Sequence, residues 1–223
     1  MQSLAVVGDV HGSYDQLKVL IESERLAGRH LIFVGDLIDR GPRTSEVLAL
    51  VANLTETWQY GTSVIRGNHE QALLDFIDGK SPGSFLRNGG MATIASYYEQ
   101  VPANVLQHFR ETFPKDHLAL LRSSILYFET PDLLISHMGY DPSNPGDRSI
   151  HSMTLEPHYE IFHESHTSPI PLVVCGHYAQ KDGQPWMSQS LICIDTGCGT
   201  VQDAPLTALL LPERMIVQSN TEG

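Results

Sequence analysis

An α/β fold is predicted, with a β-α-β-α-β-α opening, a helical insert and a β-rich second half. Three observations predict it. Short β-branched runs alternate with helical patterns through residue 77. The first two runs lead at once, and the third after Arg66, into a glycine followed by an oxygen or nitrogen donor. From residue 124 onward, apolar runs follow one another with few helical patterns between them.

The runs Leu4–Val7, Leu31–Val34, Ser63–Ile65, Leu133–Ile135, Leu172–Val174 and Leu191–Ile194 are bounded by Gly, Pro, Asp or Ser and read as buried strands. Between the first two, Leu17, Leu20 and Ile21 sit at helical spacing behind Ser13-x-x-Gln16, a candidate capping box. Val47, Leu48, Val51 and Leu54 repeat the spacing behind Thr44 and Ser45. Ala72, Leu73, Phe76 and Ile77 form a third amphipathic helix that stops at Asp78-Gly79. Roughly residues 80–122 change to polar turns and short helices, including Met91–Gln100 and Asn104–Glu111, and read as a helical cap over the site. Residues 141–171 form a long connection rich in Pro, Ser and His, of a length that is usually functional or mobile.

A chain of 223 residues fits one domain, 1–223, able to bury a core without staples. Fourteen basic against 26 acidic side chains give a formal charge of -12, which argues against a nucleic-acid partner held through phosphate contacts. Three cysteines, Cys175, Cys193 and Cys198, are odd in number and lack a Cys-x-x-Cys pair, so free thiols in a reducing cytosol are expected. No segment reaches the length of a membrane span, and no basic leader precedes Gly8, so a cytoplasmic protein without a membrane partner is expected.

Open α/β sheets bind ligands beyond the carboxyl ends of their strands, and Gly8-Asp9-Val10-His11-Gly12, Gly35-Asp36 to Gly41 and Gly67-Asn68-His69-Glu70 all fall there. A Gly-Asp pair alone is often only a turn; three such ends in order point to a two-metal phosphoesterase site. Two cations can hold a phosphate ester, acidify a water and stabilise the leaving oxygen. Asp9 and His11 can address one metal, and Asp36 can bridge because one carboxylate has two oxygens. Asn68, His137 and His177 would complete the second, the two histidines also following apolar runs. Donors without thiolates suit manganese, iron or zinc better than calcium, with manganese the expected pair.

Asp39 and His69 flank these ligands and can meet beside them. A carboxylate on an imidazole orients the ring and raises its pKa, which suits a general acid. Arg40 offers a planar fork for phosphate oxygens.

Together, Gly-Asp-x-His-Gly, Gly-Asp-x-x-Asp-Arg-Gly and Gly-Asn-His-Glu resemble the phosphoprotein phosphatase family of metallophosphoesterases, the bacterial and phage-type serine/threonine phosphatases in particular. The resemblance is strong over residues 4–75. It is thinner at Ser136-His137-Met138-Gly139, Cys175-Gly176-His177 and Ile194 to Cys198. It implies two packed mixed β-sheets flanked by helices, and a metal-bridging hydroxide that attacks phosphorus with no phosphoenzyme. In its terms Asp9, His11 and Asp36 hold one metal, while Asp36, Asn68, His137 and His177 hold the other. Arg40 grips phosphate, and Asp39 with His69 assists the leaving group.

The last motif is Gly176-His177-Tyr178-Ala179, lacking the second histidine of the wider phosphodiesterases. Symmetric dinucleoside-tetraphosphate hydrolases share this branch, but their second motif tends to lack the acid before the arginine. The family's second phosphate-gripping arginine, beside a tryptophan, has no clear counterpart; Arg148 and, from the cap, Arg87 are the candidates. His151, His158, His163 and His166 fit no helical face and read as a solvated loop, Cys198 as a packed thiol, and Trp58 and Trp186 as packing residues.

The expected activity is hydrolysis of phosphoserine, phosphothreonine and phosphotyrosine esters, in proteins or small molecules. The alternatives are a dinucleoside-polyphosphate hydrolase and a non-catalytic phosphate-binding module.

Overall fold

The computed structural model describes residues 3–163 and 166–220. The first three strands are β1 (Leu4–Val7), β2 (His30–Phe33) and β3 (Thr62–Val64). The middle of the chain supplies β4 (Tyr127–Thr130), β5 (Leu133–Ser136), β6 (Val173–Cys175), β7 (Trp186–Met187) and β8 (Leu191–Cys193). The chain closes with β9 (Thr207–Leu211) and β10 (Met215–Gln218). Two five-stranded sheets result, ordered β10-β9-β1-β2-β3 and β4-β5-β6-β8-β7. In the first, β1, β2 and β3 are parallel and β9 and β10 antiparallel; in the second, β5, β6 and β8 are parallel and β4 and β7 antiparallel. All six strands read from the sequence form, within a residue at each end.

Alternation along the strands stacks the layers. Leu4, Val6, Ile32 and Val34 of the first sheet meet Leu133, Ile135, Val174 and Ile192 of the second in an apolar seam. The intervening Ala5, Val7, Leu31 and Phe33 face the helices. Leu134, Val173, Leu191 and Cys193 face the opposite way, under Tyr140, Met153, Ile161 and Tyr178. Parallel strands buried on both faces need such continuous apolar runs.

Helices α1 (Tyr14–Ile21), α2 (Thr44–Thr57) and α3 (Asn68–Ile77) cover the first sheet. The expected capping box at α1 does not form. Ser13 makes no cap bond because its hydroxyl lies 3.5 Å from the His11 carbonyl oxygen, and the Gln16 amide instead donates to the Ala204 carbonyl at 2.9 Å.

The insert contains α4 (Gly83–Arg87), α5 (Gly90–Ala95), α6 (Val105–Thr112) and α7 (Lys115–Ser123). Phe85, Ile94, Phe109, Phe113 and Leu121 merge with the core of the helical layer, so the insert extends that layer and brings its α4–α5 junction to the site. The helix expected over Met91–Gln100 ends at Ala95, where Ser96 is tied by the Ser45 hydroxyl to its carbonyl at 2.7 Å.

The 141–171 connection departs from a solvated loop. A π-helical turn (His151–Leu155) and a 3-10 turn (Tyr159–Phe162) bury Met153 and Ile161 on the second sheet. His158 is buried, its Nε2 2.9 Å from the Ser152 carbonyl, and His166 pairs with the Tyr140 hydroxyl; His151 stays exposed, against Glu156. Cys175, Cys193 and Cys198 are unpaired and buried. Among the described residues no helix is long and apolar enough to cross a membrane.

Ile192 is fully buried in the seam between the sheets. Ile192→Ala is expected to lower unfolding free energy by about 2–5 kcal/mol, read from urea denaturation, with near-native secondary structure by circular dichroism.

Candidate metal centre

The loops after β1 and β2, the start of α3, and the ends of β5 and β6 converge on one polar spot. Asp36 is its hub, with Oδ2 at 3.4 Å from His137 Nε2, 3.6 Å from His69 Nε2 and 3.7 Å from His11 Nε2. Two sets of donor atoms, His11-Asp36-His69 and Asp36-His137-His177, each fall within 4.8 Å of one another. Asp36 belongs to both.

The surrounding backbone orients these donors. His11 Nδ1 lies 2.8 Å from the Ile38 carbonyl oxygen and His137 Nδ1 3.0 Å from that of Val34. Each ring is thereby fixed with Nε2 aimed inward, the second-layer support usual for metal-ligating histidines. His137 Nε2 also lies 3.1 Å from Asn68 Oδ1. The His69 amide in the first turn of α3 donates to Asp36 Oδ1 at 3.2 Å, so the positive end of the helix faces the carboxylate. A Cβ on Gly67 would lie 2.1 Å from that oxygen, and a Cβ on Gly176 2.1 Å from Asp9 Oδ1. Both motif glycines therefore make room for a carboxylate. His11, Asp36, Asp39, Arg40 and His177 all have positive φ, a concentration of backbone strain typical of functional sites.

The donor chemistry fits divalent cations. Asp9 accepts the His177 amide at 3.0 Å on Oδ2, while its Oδ1 is buried without a hydrogen-bond partner. Burial, then the neighbouring Asp195 and Asp36, push the Asp9 pKa up, so a cation is what would keep it ionised. Asp36 is held well below the usual carboxylate range: burial opposes ionisation, but His137, His69 and His11 outweigh it. Burial lowers His11 and His177 to about 3, leaving neutral rings able to ligate.

Beside the cluster, His69 Nδ1 lies 2.7 Å from Asp39 Oδ2. Burial disfavours the charged ring, yet Asp36 and Asp39 hold the His69 pKa above its ordinary value. Arg40 bridges the opening, its Nη1 3.0 Å from His11 Nε2 and Nη2 3.3 Å from His69 Nε2, and Nη1 also donates to Thr200 at 2.7 Å. The guanidinium thus sits where an anion bound at the cluster would meet it.

Arg148 is engaged elsewhere, with both Nε and Nη2 on Glu129 and Nη1 on the carbonyls of Pro145 and Asp147. Arg87 is exposed and donates to Ser84. Neither makes a described contact with the cluster, although Gly89, near Arg87, packs on Arg40.

Two residues escaped the sequence reading. Thr93, on α5, donates its hydroxyl to Asp39 Oδ1 at 2.6 Å and accepts the Asp39 amide at 2.9 Å, so the insert clamps the carboxylate that holds His69. Nothing in its local sequence signals this contact across 54 residues. Glu70 accepts the amides of Asp36, Leu37 and Gly67 at 2.8–2.9 Å, and burial, then Asp36, raises it to about 7. Its place in the Gly-Asn-His-Glu motif was the available signal.

Comparison with known proteins agrees with this geometry. The family of calcineurin-like phosphoesterases matches residues 3–198. An asymmetrical bis(5'-nucleosyl)-tetraphosphatase of Halalkalibacterium halodurans is 28% identical, over 93% of this chain and 89% of its own length. Serine/threonine-protein phosphatase 1 of Salmonella typhimurium is 41% identical over 87 residues, 38% of each chain. A solved structure provisionally named a diadenosine tetraphosphatase superposes with a TM-score of 0.68 at 20% identity, covering 97% of this chain and 92% of that one, a likeness of fold. The chain belongs to the calcineurin-like phosphoesterases, metal-dependent hydrolases of phosphoric esters, with relatives in their phosphoprotein-phosphatase branch.

Proposed function

We propose that this protein hydrolyses dinucleoside polyphosphates asymmetrically, releasing a nucleoside triphosphate and a nucleoside monophosphate from a tetraphosphate. The observation that carries the reading is extent: the asymmetrical tetraphosphatase aligns over 93% of the chain, whereas the serine/threonine phosphatase aligns over 38%. The preference for protein phosphoesters drawn from Asp39-Arg40 yields to it.

Asp9, His11 and Asp36 would hold one divalent cation, and Asp36, Asn68, His137 and His177 a second, manganese suiting this donor set. When bound, such a pair neutralises phosphate charge and lowers the pKa of water. Water adds across one P–O–P linkage, its oxygen bonding to phosphorus as the bridging P–O bond breaks, and the departing phosphate oxygen leaves as an anion or takes up a proton. Arg40, fixed by Thr200, offers its fork to the non-bridging oxygens. His69, its Nδ1 held by Asp39 and Asp39 in turn by Thr93, keeps Nε2 beside Arg40 at the cluster, from where it would protonate the departing oxygen. The three unpaired thiols suit a reducing, cytosolic setting.

A second reading, a phosphomonoesterase acting on phosphoserine, phosphothreonine or phosphotyrosine, is favoured by the Asp39–His69 pair. An alkoxide is a far poorer leaving group than a phosphate and gains more from a general acid.

With manganese, kcat/KM for diadenosine tetraphosphate is expected to exceed that for a phosphoserine peptide by at least about tenfold, a barrier difference of ~1.4 kcal/mol. Chromatography should show ATP and AMP in equal amounts; two ADP, or a preference for the peptide, would sink the reading. Asp36→Asn should abolish binding of both ions, measured by metal analysis after manganese saturation and desalting. His69→Asn should lower kcat by roughly a hundredfold while keeping metal content. Thr93→Val should lower kcat about tenfold through misorientation of Asp39, with Thr93→Ser restoring most of it.

A further inference from the structure

Beside His177 lies a cleft of about 440 Å³ whose walls are Tyr159, Phe162, Tyr178 and Trp186, with Ala179 and Gln180. The volume is in the range of small-ligand sites. Its lining has no Lys, Arg, Asp or Glu, in a chain that carries 40 such residues, 14 basic and 26 acidic. The rings form a continuous set: Tyr178 and Phe162 have centroids 4.7 Å apart, Phe162 and Trp186 5.2 Å, and Tyr159 and Tyr178 5.3 Å.

This wall is rigid where it meets the metal centre. The Tyr178 hydroxyl donates to the Met138 carbonyl at 2.9 Å and accepts the His158 amide at 2.6 Å, which fixes the ring. Farther out, Tyr159 is 64% exposed and Phe162 and Trp186 are half-buried, a costly display of aromatic surface for packing alone. The cleft and the cluster share His177, whose ring is 5.1 Å from that of His137 and 5.2 Å from that of Tyr178.

We propose that this cleft is a nucleobase subsite, taking a base of the nucleoside polyphosphate whose phosphates lie at the Asp36 cluster. The proposal rests on the nucleotide reading above and adds the residues that recognise the base. Stacking on aromatic faces suits any base and needs no charge. Phe162 and Trp186 follow Tyr178 along the run of ring contacts leading away from the cluster. A ring that engages them needs a spacer between itself and the phosphate. Ribose supplies that spacer in a nucleotide; phosphotyrosine, whose ring bears the phosphate directly, has none.

Tyr159→Ala and Trp186→Leu test this, the first at an exposed side chain whose loss leaves the core intact. The ratio of KM for diadenosine tetraphosphate to KM for p-nitrophenyl phosphate is expected to rise about tenfold in each. In binding, ATP should quench the fluorescence of Trp186 in the wild type, read as signal absent from Trp186→Leu, and inorganic tripolyphosphate should not. An unchanged KM ratio in both variants, with diadenosine tetraphosphate still hydrolysed, would overturn the subsite and leave the tetraphosphatase reading standing. No hydrolysis of diadenosine tetraphosphate, with ATP still quenching Trp186 and tripolyphosphate silent, would remove that reading and keep the base subsite. Equal quenching by ATP and tripolyphosphate, or a KM shift confined to a phosphotyrosine peptide, would also overturn the subsite.

Discussion

The Asp36 carboxylate is 2% exposed and faces three imidazoles on one oxygen and a helix-terminal amide on the other. Burying a charge this completely is expensive unless partners surround it, and much of the neighbouring architecture supplies or positions those partners. Gly67 keeps its Cβ side clear, α3 aims its N-terminus at it, and Glu70 pins the amides of Asp36 and Leu37 so that the turn holds its positive φ. The loop from Asp36 to Gly41 then carries Asp39 and Arg40 to their stations. One strained turn thereby sets the residue common to the two donor sets, the placement of Asp39 against His69 and the place of Arg40.

Much of this was legible in the chain because strands that are buried on both faces must be apolar throughout, and the donors follow directly where those runs end. The convergence of Asp9, His11, Asp36, His137 and His177 on one spot was readable for that reason. Contacts made across long sequence separations were not. Thr93 is an unremarkable threonine in a helix, and only the packing of α5 against the loop after β2 gives it the Asp39 carboxylate. The Ser13-Gln16 pattern misled because local capping lost to tertiary demands: Gln16 reaches Ala204, and Ser13 faces a turn bent by the site. Arg148, the one arginine between His137 and His177, is claimed instead by Glu129 of β4.

The irregular connection shows the same limit. Its histidines and prolines suggested solvent, yet Met153 and Ile161 fill the outer face of the second sheet and His158 satisfies both backbone and the Tyr178 hydroxyl. Among the described residues no helix as long as α2 covers this face. Short turns do so instead, and they leave aromatic rings at the rim. The layer that completes the core is thus also the layer that borders the cleft.

The candidate donors are divided between the two sheets. Asp9, His11, Asp36 and Asn68 arise from the first, while His137 and His177 arise from strand ends of the second, and the sheets meet through side chains such as Val6, Val34, Ile135 and Val174, with no strand of one paired to a strand of the other among the described residues. An ion held across that boundary would act as a clasp between halves of the molecule. Its affinity would become part of the cohesion of the sandwich, and a shift of one sheet over the other would part the two groups of donors while both sheets remained intact. Turnover would then report how the two halves are seated, which the secondary structure of either sheet alone does not.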